Sequence, residues 1–139
     1  MDDHSEIALI THSLERFAEL VGDMVPPLYE AFFASDADAL GLMGHSDEHM
    51  RGRMLESVLE ILMTEEHLGA GKYLDWELDN HLDAYAVQPA MYSSFFLAML
   101  EVTKTGLGAE WNEQHQAAWD GRIEKIINQV NEHKSVPSR

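Results

Sequence analysis

Apolar residues recur every three or four positions along most of this chain, the spacing of one face of an α-helix. Ile7, Ile10, Leu14, Phe17 and Leu20 or Val21 make the first stripe and predict a helix over about 4–21. Asp23 can cap a second helix whose opening turns hold Pro26 and Pro27, where a missing N–H does least harm. That helix presents Leu28 or Tyr29, Phe32, Phe33 and Leu40, and "ASDADA" loosens it near residue 36. Ser46, with Asp47 and Glu48 in the first turn, starts a third helix that runs to about 66, where "HLGAGK" breaks it. A fourth helix over 72–85 leads through "AVQPAM" to a fifth over 90–104. "TGLGAEWN" turns the chain into a long last helix ending near 132, with a frayed tail at 133–139. No stretch shows the alternation of a strand. The pattern predicts one all-α domain over 1–139, with its core over about 5–132 and about six helices.

Two helices depart from a simple amphipathic design. The third has two apolar sides, Met50, Met54, Ser57 and Ile61 on one and Leu55, Val58, Leu59 and Leu62 on the other. A surface helix needs only one such stripe, so this helix packs against two things, and methionine's pliable thioether suits an irregular or non-protein neighbour. In the fourth, His81 sits amid Leu74, Leu78, Leu82 and Tyr85, while Asp75, Glu77, Asp79, Asn80 and Asp83 face away. A histidine there is either a core residue whose ring N–H meets a backbone carbonyl or a metal ligand, since a neutral imidazole in apolar surroundings is a strong donor to iron, zinc or copper. Periodicity does not choose between them. His45 and His49 in "GHSDEH" form a competing pair for zinc or non-haem iron, against the plainer reading of solvated helix-start residues.

Charge narrows the partners. Asp and Glu number 25 against 9 Lys and Arg, a formal net charge of -16, which argues against nucleic acid or an anionic membrane and for a basic protein partner or a solubilising surface. The absence of cysteine excludes disulfides, thiolate metal sites and a Cys nucleophile. "MDDHSEIALI" lacks a signal-peptide pattern, and "FFLAML" is too short to span a bilayer, so a cytoplasmic protein is expected. Trp76, Trp111 and Trp119 read as packing residues, Gly106 and Gly108 as a turn, and no Ser/His/Asp set can be assembled.

Read together, "NHLDAYAVQPAMYSSFFLAML" and "LGAEWNEQHQAAW" resemble the proximal half of globins. In that family a helix ends in a haem-ligating histidine, followed in order by Val or Ile, Pro, Tyr and a long helix bearing Ala-Trp. The matching residues here are His81, Val87, Pro89, Tyr92 and Ala118–Trp119. Upstream, "VPPLYEAFFASDADALGLM" is similar to the globin second helix, with Tyr29 where many bacterial globins place a distal tyrosine. The resemblance covers about residues 5–132 and implies a globin-like fold of six to seven helices around haem b. It assigns iron to His81 and the pocket to Tyr29, Met43, His49, Met50, Arg53, Met54, Leu78, Val87 and Tyr92, with Met43 where globins nearly always carry Phe. Arg51, Arg53 and Lys72 would serve the haem propionates.

The function this implies is that of a bacterial single-domain haemoglobin binding O2, NO or CO, with Tyr29 or His49 as distal donor, or Met50 or Met54 as a sixth ligand. NO dioxygenase turnover would need an external reductase, which the acidic surface would dock. The alternative is a haem-free globin-like sensor or interaction module acting through a partner or a homodimer.

Overall fold

The computed structural model describes residues 3–63 and 89–135. Among the described residues there are six α-helices and no strand: α1 (Asp3–Leu20), α2 (Val25–Ser35), α3 (Ala37–Met43), α4 (Glu48–Met63), α5 (Pro89–Leu107) and α6 (Glu113–Ser135). A short 3-10 turn, Gly108–Glu110, joins the last two. The fourth helix expected over 72–85 lies outside the described residues.

Local chemistry explains the boundaries. Asp23 Oδ1 accepts the Val25 N–H at 3.0 Å, tying down the entry to α2. The loosening expected near residue 36 is a full break: Asp36 is extended (φ -141°, ψ 98°), and its side chain accepts the Ala39 N–H at 3.1 Å, capping α3. The stripe predicted for the second helix does not carry through that break, so Leu40 is 51% exposed and Ala39 is buried in its place. Asp47 rather than Ser46 caps α4, accepting the Met50 N–H at 2.8 Å. Helix α5 runs three residues past its expected end, and Gly108, at φ +56°, supplies the left-handed turn that follows.

Helix α1 lies against α6 and α5, α2 lies against α5, and α5 against α6, with α4 touching α1, α2 and α6. Gly106 lets α1 and α5 pack closely, since a side chain there would run into the Phe17 ring. Trp119 is wholly buried at the α1–α6 contact. Its indole N–H donates to Ser13 Oγ at 3.0 Å, and that hydroxyl donates to the Ile10 carbonyl at 2.7 Å, so burial leaves neither group unsatisfied. Arg122 is equally buried and donates from Nε to the Leu62 carbonyl and from a terminal nitrogen to the Ile61 carbonyl, both at 3.0 Å. Arg122 thus joins α6 to the backbone of α4 from within the core.

Helix α4 buries Leu55, Val58, Ile61 and Leu62, leaves Met54, Ser57 and Leu59 half-buried, and exposes Met50 at 40%. The stripe of Met50, Met54, Ser57 and Ile61 is therefore fully covered only toward its C-terminal end. No helix among the described residues is long and apolar enough to cross a membrane.

Candidate functional site

The described part of the site is built on α2, which meets both α4 and α5. Tyr29, on α2, is 1% exposed. Its ring has Phe32 at 6.2 Å, Phe33 at 5.6 Å and Phe95 of α5 at 5.7 Å between centroids, and Phe32 meets Phe95 edge to face at 5.1 Å. These are favourable geometries for aromatic pairs and make a rigid apolar box. The phenol hydroxyl leaves the box and donates to the Arg51 carbonyl in the first turns of α4, at 3.2 Å.

The side chain of Arg51 folds back over the same rings. Its guanidinium carbon lies 5.2 Å from the Tyr29 centroid and 5.1 Å from that of Phe33, within cation–π range. Nε donates to Ser46 Oγ at 2.9 Å and a terminal nitrogen to the Gly44 carbonyl at 3.4 Å. Arg51 thus ties the turn before α4 to the aromatic box. Burial pushes the Tyr29 phenol up to about 12, while the positive charge of Arg51 pulls the other way. The phenol is consequently a neutral hydrogen-bond donor at any physiological pH.

Few of the remaining candidates gather at this point. His49, Met50 and Arg53 flank Arg51 along α4 and are exposed, and Met54 is half-buried against the core. Met43 is the last residue of α3. Tyr92 is buried on α5, about one helical turn before Phe95 and Phe96. Lys72, Leu78, His81 and Val87 lie outside the described residues. His45 is exposed like His49, Asp47 is engaged as a helix cap, and no group of three or more His, Asp or Glu poised for a metal occurs among the described residues.

The position of Arg51 over Tyr29 and Phe33 was not foreseen from the sequence. The Tyr29–Arg51 hydrogen bond spans 22 residues, and helical periodicity gives the face a residue occupies but not its partner across the core. No protein-family model and no curated protein sequence matches this chain.

Proposed function

We propose that this chain is a globin-like haem protein that binds a diatomic gas, O2 with NO or CO as further ligands, at iron held by His81. The observation that carries the reading is Tyr29, a buried, neutral phenol at the junction of the second helix and α4. The globin resemblance puts the gas-binding side of the haem against those two elements. The all-α architecture, with α2 against α5 and α1 against α6, is of the kind such a pocket requires.

The described residues fit the distal side of haem in kind. They offer an apolar aromatic wall, a half-buried thioether at Met54 and one donor whose present bond, at 3.2 Å, is long enough to be exchanged. His81 would hold the haem, which would supply reversible gas binding. Tyr29 would turn its hydrogen from the Arg51 carbonyl to the bound gas, and the aromatic box would hold the phenol in that position. Turnover of NO would need an external electron donor, and a net charge of -16 suits a basic one.

The second reading, a haem-free sensor or interaction module, draws on the same contacts. The Tyr29 hydroxyl already has a partner, and Arg51 is engaged with Ser46, Gly44 and two rings. Infrared spectra of the reduced, haem-loaded protein under CO distinguish the roles. Tyr29→Phe should shift the C–O stretch and speed O2 release about tenfold, the scale of one lost charge-assisted hydrogen bond. An unchanged stretch removes Tyr29 from the site. Failure to take up haem leaves the haem-free module.

A further inference from the structure

Where the Gly108–Glu110 turn enters α6, two histidines are joined in a way that the gas-binding proposal does not use. His115 is 2% exposed, and its ring Nε2 lies 3.3 Å from Nδ1 of His12 on α1. The ring planes are within 10° of parallel, with centroids 5.5 Å apart. That separation exceeds the nitrogen–nitrogen distance by about the width of one ring, so the rings meet edge to edge, sharing an N–H···N hydrogen bond. On its other side His115 completes a reciprocal cap. Its backbone N–H donates to Asn112 Oδ1 at 2.9 Å, and its Nδ1 accepts the Asn112 N–H at 3.3 Å. This is a capping box with histidine in the place usually held by Glu or Gln.

The two bonds fix where the hydrogens are. Because His115 Nδ1 is an acceptor, its ring hydrogen resides on Nε2 and is donated to His12 Nδ1. Neither ring then has a free nitrogen at the junction. A proton added to His115 must go to Nδ1 and displace the Asn112 N–H. A proton added to His12 must go to Nδ1 and confront the Nε2–H of His115. For the same reason the pair is poorly arranged for a metal, whose binding to His115 would require the other tautomer.

We propose that the His12–His115 pair is a proton-operated latch between α1 and the start of α6, in which any proton that acidification adds to the pair breaks one of the two hydrogen bonds made by the His115 ring. The surroundings favour the neutral, closed form. A cation on His115 would sit at a helix N-terminus, where positive charge is disfavoured. Trp111 packs against its ring at 5.4 Å, and burial, together with the neighbouring His12, holds its pKa below the ordinary imidazole value. Of the charged groups nearby, Glu110 on the turn is bound through both oxygens to Arg16 of α1, which also bonds Glu19. Glu113 at the head of α6, and Glu101 and Lys104 on α5, are exposed. The stability carried by neutral His115 is complete above about pH 6.5 and declines as pH falls through that value toward its lower folded pKa.

The test uses the full chain, labelled with nitrogen-15, observed by imidazole-nitrogen NMR and amide hydrogen exchange between pH 8 and 5. Above pH 7, His115 should carry its hydrogen on Nε2 alone. On acidification, exchange at residues 113–116, corrected for its intrinsic pH dependence, should rise about fivefold, the scale of one lost hydrogen bond. His115→Gln keeps a capping acceptor but cannot titrate, so that rise should vanish in it. A hydrogen on His115 Nδ1, or the same rise in the variant, overturns the proposal. If the variant does not fold, the tautomer in the native chain decides alone.

Discussion

Arg122 and Arg51 show how differently one residue type is used in two regions of this molecule. Both donate to backbone carbonyls. Arg122 is 1% exposed, and two bonds of 3.0 Å lock α6 onto the end of α4. Arg51 is half-buried, with one bond of 2.9 Å to a hydroxyl, one of 3.4 Å to a carbonyl, and its charge resting on two aromatic rings. Removing the first takes a charged donor away from two buried bonds, whereas solvent can replace most of what the second provides. The contrast separates a residue committed to the fold from one that covers a site and can be moved from it.

Substitution should reproduce that ranking. Arg122→Met retains most of the side-chain volume but deprives two buried carbonyls of their donors, and should cost about 3 kcal/mol in urea unfolding. Arg51→Ala should cost about 1 kcal/mol, the scale of a partly exposed cation–π contact, and should leave the Tyr29 ring more accessible to iodide quenching. A loss as large as that of Arg122→Met would erase the distinction drawn between the two arginines. Tyr29→Phe gives up one long hydrogen bond and should cost about 0.5–1 kcal/mol in the same unfolding measurement. High pH acts on the same phenol. Since burial raises the Tyr29 phenol to about 12, its contribution to stability should be intact below about pH 10 and decline as pH rises from there. That decline should be missing from Tyr29→Phe, followed by phenolate absorption and circular dichroism.

Much of the helical framework could be read from periodicity, because apolar spacing reports directly which face of a helix is buried. Ile10 and Phe17 on α1, and Phe32 on α2, are buried as expected. The failures have local causes. At the head of α4, Ser46 and Asp47 are both capping residues, and the choice was decided by Arg51, which takes the Ser46 hydroxyl. Leu40 was misplaced because its apolar spacing was continued through the break at Asp36. The links of Tyr29 to Arg51, Arg122 to Leu62 and Trp119 to Ser13 span 22, 60 and 106 residues, and no single-helix pattern encodes such pairings. The His115 cap had a signal in "NEQH", an Asn followed three residues later by a side chain with an acceptor nitrogen. Of the candidate site, Tyr29 and Tyr92 are buried and His49, Met50 and Arg53 exposed, while Leu78, His81 and Val87 lie outside the described residues.

The gas-binding account is tested most directly by the absorption spectrum of the full chain titrated with haem, recorded ferric, then reduced, then under CO, beside His81→Ala treated identically. The account predicts a Soret band in the native chain that shifts when CO is added, and its loss in His81→Ala. Absence of a Soret band from the native chain after haem titration, or an identical CO-shifted band in His81→Ala, would contradict it.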